Sequence, residues 1–332
     1  MAHIVLGIGT SHSPLLVLGG EQWPMRAGDD VAGRVPLHTL DGRFHSYQEL
    51  KGLRGEPYGE LATATNFVRQ ERSAGQALDR LTASLASAAP DVVLIVGDDQ
   101  GELYEPGNIP AMAVFHGEEF VMRPFESGPI RPPWADREFW KEYARDLPHR
   151  FPGAPGLATD LVHGLIERGI DVAVANRVRD ARAHGFGHAI GFVIRRLFGG
   201  KTYPVIPVLL NTYFPPNTPT PRRCHEIGRH LRAAIEASPR DLRVAVVASG
   251  GLSHFVCEEA FDRRVIDALR ADDGEALAGL PVEALVSGSS EIRNWILVSG
   301  AVSHLSRQWD EYLPVYRTPA GSGIGLAFME WR

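Results

Sequence analysis

The sequence predicts an α/β fold: a single domain over residues 1–332, with a mostly parallel mixed sheet flanked by helices and a site at the carboxyl ends of the strands. Two observations predict it. Short β-rich runs recur along the chain, and most are continuously apolar rather than alternating, which suits strands covered on both faces. Between them lie segments with apolar residues at helical spacing, and strand–helix alternation favours parallel pairing.

The first run, "HIVLGIG" (3–9), leads into "GTSHSP", where Pro14 ends any ladder and leaves His12 at the strand mouth. Residues 17–70 are polar, Gly-rich and Arg-rich, and read as a long insertion with some helix. "ERSAGQALDRLTASLASAA" (71–89) is helical and feeds the strand "DVVLIVGDD" (91–99); "AMAVFH" (111–116) follows as another. Residues 120–155 carry Pro124, Pro129, Pro132, Pro133, Pro148, Pro152 and Pro155 and read as an extended loop. Long ordered loops commonly wall a site, so both this loop and the insertion are expected to do so.

"GLATDLVHGLIERG" (156–169) is a helix stopped by Gly169 before the strand "DVAVAN" (171–176). The strand "YPVIPVLLN" (203–211) runs into the Pro-rich "NTYFPPNTPTPRR", a rigid connection offering Tyr213 and Phe214 to an aromatic ring. "TPRRCHEIGRHLRAAIEASP" (220–239) is a helix opened by Thr220 and Pro221, and "RVAVVASGG" (243–251) is the next strand.

Composition narrows the function classes. The chain has 332 residues, 44% of them apolar and 22% charged, as an ordinary globular protein does. A net charge of −6 argues against a nucleic-acid binder, which needs a basic face. Cys224 and Cys257 give neither a disulfide framework nor zinc-finger spacing. The N-terminus lacks a signal peptide's basic and apolar regions, and no apolar run reaches the ~18 residues of a membrane helix. A cytoplasmic protein without membrane attachment is expected.

The residues just after the strands carry the chemistry. His12, the group Asp98, Asp99 and Gln100, the pair His184 and His188, and the group His254, Glu258 and Glu259 each follow a strand. In open α/β sheets ligands bind beyond the carboxyl ends of the strands, so these groups would gather at one edge. They offer nitrogen and oxygen donors and no thiolate. Two neutral donors plus one carboxylate, with open positions, is the arrangement of non-haem Fe(II) oxygenases, while a zinc hydrolase uses similar donors.

The ordered set "GTSHSP", a strand ending in "DD", "IPAMAVFHG", "GHAIGF", "VIPVLLNTYFPPNTPTPRRC" and "SGGLSHF" resembles the class III extradiol ring-cleaving dioxygenases. This is the LigB-like superfamily, which includes the catalytic β subunit of protocatechuate 4,5-dioxygenase. The resemblance extends into "SEIRNWILVSGA" (290–301) and "YRTPAGSGIGLAFMEW" (316–331).

The resemblance implies Fe(II), a catecholic aromatic substrate, dioxygen as co-substrate, and a homodimer. It implies His12 as a metal ligand and a glutamate beyond the GG-x-SH segment as another, for which Glu259 is the expectation and Glu258 its neighbour. It implies His188 as the acid–base histidine, with His254, Tyr213 and Arg222 contacting substrate; Arg222 or Arg223 would meet a substrate carboxylate. Where that family has its second iron histidine this sequence has Gln100, so either Gln100, His45 or Asp99 stands in for it or the metal site is weakened or absent. Two other classes remain open: a metal-dependent hydrolase or C–C lyase on the same scaffold, and a non-catalytic ligand-binding protein.

Overall fold

A computed structural model describes residues 1–127 and 134–332. Nine strands form the main sheet: β1 (His3–Thr10), β2 (Val92–Asp98), β3 (Met112–Phe115), β4 (Ala173–Ala175), β5 (Val205–Leu210), β6 (Arg243–Ser249), β7 (His254–Val256), β8 (Arg307–Tyr316) and β9 (Ser322–Trp331). Their order is β7-β9-β1-β6-β2-β5-β3-β4, with β8 also paired to β9. The centre, β1-β6-β2-β5, is parallel throughout. Antiparallel pairing appears where β9 joins β1 and where β3 joins β5, so the sheet is parallel at its heart and mixed outside it.

The central strands are apolar without alternation because both faces are covered. Leu94 and Val96 of β2 enter one core together with Leu161, Leu231 and Leu297. Val93 and Ile95, pointing the other way, enter a second with Leu78, Leu81 and Val193. The first face is covered by α5 (Pro155–Glu167), α7 (Pro221–Ala237), α8 (Glu259–Arg270) and α10 (Ile292–Val302), and the second by α3 (Ala64–Ala88) and α6 (His188–Leu197). Smaller helices are α1 (Trp23–Val31), α2 (Tyr47–Arg54), α4 (Arg137–Lys141) and α9 (Gly274–Ala278).

Local chemistry sets the helix starts. Thr63 caps α3 by accepting from Asn66 N, and Thr220 caps α7 by accepting from Arg223 N with Pro221 in the first turn. α10 is different: every one of its residues is buried, so it is an interior helix rather than a surface one. Its Trp295 ring lies across β1, where a Cβ on Gly9 would come within 2.1 Å of it. Trp295 Nε1 donates to Gly250 O (2.8 Å) and Asn294 Nδ2 to Ser249 O (2.9 Å), tying the start of α10 to the carboxyl end of β6.

The segment expected to be an extended loop, 120–155, contains a short two-stranded sheet (Glu119–Val121 with Arg150–Pro152) and α4. Pro129, Pro132 and Pro133 lie outside the described residues. The insertion 17–70 carries α1, α2 and a two-stranded pairing of Leu37–His38 with Phe44–His45. The β8–β9 hairpin, which adds the antiparallel edge, is absent from the strand pattern read in the sequence. Among the described residues no helix is long and apolar enough to cross a membrane.

Candidate metal centre

A cavity of about 260 Å³ opens at the carboxyl ends of β1, β2 and β6, lined among others by His12, Gln100, His188, Tyr213, His254 and Glu291. Each enters from an element whose end the fold fixes. β1 stops at Thr10, and the following turn is clamped to β9: Ser11 N donates to Ala327 O (3.0 Å) and Ala327 N to Ser11 Oγ (2.9 Å). Tyr143 OH donates to the His12 carbonyl (2.9 Å), and Pro14 opens a short 3₁₀ turn. His12 is thereby held at the sheet edge, 3% exposed.

Its tautomer follows from its partner. Ser249 Oγ donates its one proton to Ala189 O (2.7 Å), so it accepts Nδ1–H of His12 (2.9 Å). Nε2 is left facing Glu291 Oε2 across 3.3 Å. His254 repeats the arrangement: Nδ1 donates to Leu252 O (2.9 Å), and Nε2 lies 3.5 Å from Glu291 Oε1. Two imidazole lone pairs thus face one buried carboxylate, a juxtaposition that calls for added protons or a cation.

Glu291 is itself oriented by Gly251 N, donating to Oε2 (2.8 Å), and Tyr213 OH, donating to Oε1 (3.1 Å). Burial opposes its ionisation, yet the positive charge of the His12 and His254 imidazoles, once they carry those added protons, outweighs burial and holds it well below the usual carboxylate range. Burial and the Glu291 charge push the Tyr213 phenol well up, so it stays a donor.

His188, the first residue of α6, completes the group. Ligand atoms of His12, His188 and Glu291 all lie within 4.8 Å of one another. Its Nδ1 pairs with Glu102 Oε1 (3.0 Å), which Arg145 Nη1 also approaches (3.2 Å). The pairing needs a glycine at 187, where a Cβ would fall 2.4 Å from Glu102 Cδ. Burial works against charge on both partners, but their bond and mutual attraction prevail: Glu102 is held low and His188 raised.

Gln100 donates Nε2 to Asp98 Oδ2 (2.9 Å), and the same nitrogen lies 3.5 Å from His188 Nε2, so its amide oxygen is the atom that would turn to a cation. Asp98 is fully buried, is pushed up by burial and by the Glu291 charge, and leaves Oδ1 without a partner.

These donors fit a metal ion: two imidazole nitrogens and an ionised carboxylate on one side, with an aromatic-walled space beside them. The wall comes partly from the 120–155 segment, through Phe139, Trp140, Tyr143 and Arg145, and partly from the insertion, through Arg26.

Several expected residues lie elsewhere. Glu259 is not at the cavity; α8 points it outward, where it accepts from Arg263 Nη2 (2.6 Å) and Tyr316 OH (2.9 Å). The carboxylate beside His12 is Glu291 instead. Glu258 pairs with Arg54. Arg222 is exposed on α7 and forms a bidentate pair with Glu275 (3.1 and 3.0 Å), away from the cavity. Asp99 receives the backbone N–H groups of Glu102, Leu103 and Tyr104 and serves as the cap of that turn. His45 Nε2 meets Thr39 Oγ1 (3.0 Å) within its hairpin.

Glu291 had a sequence signal. It directly precedes a largely apolar segment, Ile292–Val302, and a carboxylate buried beside such a helix requires partners. Glu102 sits two residues beyond Gln100 and carries no signal of its own beyond that proximity.

Comparison with known proteins agrees with this architecture. Over 126 residues the chain is 33% identical to the gallate dioxygenase of Pseudomonas putida, covering 34% of this chain and 36% of that protein. Two 2,3-dihydroxyphenylpropionate/2,3-dihydroxicinnamic acid 1,2-dioxygenases also match. That of Comamonas testosteroni is 35% identical over 100 residues, 30% of this chain and 29% of its own length. That of Cupriavidus necator is 30% identical over 175 residues, 50% and 51% of the two chains. The matched stretches thus span from under a third to about half of these relatives. The family model for the catalytic LigB subunit of aromatic ring-opening dioxygenase matches residues 68–327, most of the chain, and the protein belongs to that family.

Proposed function

We propose that this protein is an Fe(II)-dependent extradiol-type dioxygenase that opens the ring of a single-ring catecholic compound. The observation that carries the reading is the cluster of His12, His188 and Glu291 at the floor of an aromatic-walled cavity. Two histidines and one carboxylate with open positions suit a non-haem ferrous ion. The relatives named for gallate and for dihydroxyphenylpropionate support a catechol as substrate. At about 260 Å³ the cavity falls below the ~300–1,000 Å³ of clefts for drug-sized ligands, which favours one ring.

Bound there, Fe(II) would supply a Lewis acid for two hydroxyl oxygens and the electron transfer that couples ring to dioxygen. The chain's own residues do the rest. Ser249 and Leu252 O fix the tautomers of His12 and His254 so that each turns Nε2 to the site. His254 Nε2 can accept a proton from a catechol hydroxyl and return it as the ring opens. Trp140, Phe139 and Tyr143 give the cavity an aromatic wall.

His188 has a second reading, favoured by its Glu102 partner and raised proton affinity: it carries the proton, and the amide oxygen of Gln100 serves as the third donor.

The test is oxygen uptake after anaerobic reconstitution with Fe(II), against a panel including protocatechuate, gallate and 2,3-dihydroxyphenylpropionate. Ring cleavage consumes one dioxygen per catechol, and His12→Ala and Glu291→Gln abolish it. A protein that binds Fe(II) yet takes up no oxygen with any catechol defeats the reading.

A further inference from the structure

A second set of charges lines the same cavity. Arg317 is held by a bidentate ion pair: its Nε and Nη2 meet the two oxygens of Asp30 at 2.7 and 3.1 Å. Asp29 is also occupied, accepting Arg34 Nη1 (2.7 Å) on one oxygen and Trp134 Nε1 (2.8 Å) on the other. Among the described residues Arg26 makes one long hydrogen-bond contact, Nη1 to Asp29 Oδ2 at 3.4 Å. Three guanidiniums therefore share two carboxylates; Arg34 reaches solvent, and of the two buried ones Arg26 is the more weakly paired.

Arg26 is nevertheless 9% exposed. Its guanidinium lies 5.6 Å from the Phe255 ring centroid and 6.0 Å from that of Trp134, so aromatic surfaces surround it. Burial and the nearby Arg317 lower its proton affinity only to about 10, which leaves it charged at neutral pH. Burying an under-paired cation is costly unless something completes it. A planar guanidinium with free N–H donors at the wall of a ring-sized cavity matches a carboxylate, which it can bind through two parallel hydrogen bonds.

We infer that Arg26 anchors a carboxylate carried by the aromatic ring of the substrate, so that the cavity selects catechol acids over neutral catechols. The inference rests on the reading of the cavity as a catechol site. Arg26 precedes residue 68, where the family match begins, and so lies outside the residues that match covers.

The test separates the two claims. Calorimetry on the metal-free chain compares 3-hydroxybenzoate with 3-hydroxybenzamide, neither of which can be ring-cleaved. The wild type binds the acid at least about tenfold more tightly, as expected for a charge-assisted bidentate pair. Arg26→Met removes that preference while leaving amide affinity in place, and Arg26→Lys retains part of it. Equal binding of acid and amide by the wild type overturns the inference, and so does binding of neither. A preference that survives in Arg26→Met overturns it as well.

Oxygen uptake with 3,4-dihydroxybenzoate and 3,4-dihydroxybenzamide then reports on the reaction. Equal kcat/KM for both sinks the anchor and leaves ring cleavage standing. Acid-selective binding without any uptake keeps the anchor and sinks ring cleavage.

Discussion

His12 Nε2 faces Glu291 Oε2 at 3.3 Å while the other ring nitrogen of His12 is held by Ser249. Both donors are buried, and neither can swing away without breaking a second hydrogen bond. Glu291→Gln replaces one acceptor oxygen with a donor NH₂ and removes the negative charge. It is expected to lower Fe(II) affinity by well over the ~10–100-fold typical of losing a group that merely orients a ligand. Glu259→Gln, whose site is the exposed Arg263 pair, is expected to leave affinity unchanged. Metal titration of the two variants side by side checks this.

Ser249→Ala tests orientation without touching a donor. The hydroxyl accepts from His12 Nδ1 and donates to Ala189 O, so its loss frees the imidazole and leaves the buried Nδ1–H of His12 without its acceptor. Metal affinity should fall ~10–100-fold. Denaturant unfolding should show a loss of about 1–3 kcal/mol from the unsatisfied group. An unchanged affinity with lowered stability would mean that His12 is oriented by packing alone.

Much of this centre was legible because parallel strands deliver their carboxyl ends to one edge. His12, Gln100, Tyr213 and His254 each follow a strand that the apolar runs marked, and all of them line the cavity. Glu291 escaped because the nearest acids in sequence, Glu258 and Glu259, begin an ordinary amphipathic helix that faces outward. The carboxylate that lines the cavity comes two helices later, on the turn before α10, whose Trp295 crosses β1. Arg26 was illegible for a related reason. Its environment joins α1 to the β8–β9 hairpin, and the Asp30–Arg317 pair spans 287 positions that no local pattern connects.

Gly9→Ala tests whether that crossing places Glu291. The added methyl meets the Trp295 ring within van der Waals contact, so α10 must shift or the ring must turn. Overpacking of this kind costs typically about 1–3 kcal/mol. Because Asn294 and Trp295 tie α10 to Ser249 and Gly250, the shift should also displace Glu291 and weaken metal binding. Thermal unfolding and metal titration of the same variant check both effects; normal metal affinity would show that Glu291 is placed independently of α10.

The Glu102–His188 pair predicts a defined pH window in the metal-free protein. The depressed Glu102 contributes fully above its ordinary value of 4.5, and the contribution fades as pH falls through the lower folded value. The raised His188 contributes fully below 6.5 and loses its share as pH rises through the higher folded value. The stability difference between wild type and Glu102→Gln should therefore be largest between pH 4.5 and 6.5 and shrink on either side. Above that window the Arg145 partner preserves a remainder. Unfolding free energies measured across pH check this, and a flat difference would remove the ion pair from the account.

Gln100 decides how the third donor is assigned. If His188 is the donor, Gln100→Ala keeps one tightly bound Fe(II) per chain and His188→Ala loses it. If the amide oxygen is the donor, the order reverses, and His188→Ala retains iron but loses turnover. Gln100→His sharpens the contrast. An imidazole there gives up the bond to Asp98 Oδ2 but brings a stronger donor to the cavity that His12 and Glu291 line. Where the amide oxygen was the ligand, the substitution should tighten Fe(II) binding markedly, since an imidazole nitrogen outcompetes a neutral oxygen for a borderline cation. Where His188 already fills the position, the new ring crowds it, since Gln100 Nε2 already lies 3.5 Å from its Nε2, and affinity should stay level or fall. Metal stoichiometry and affinity for the three variants therefore assign the donor before any substrate is known.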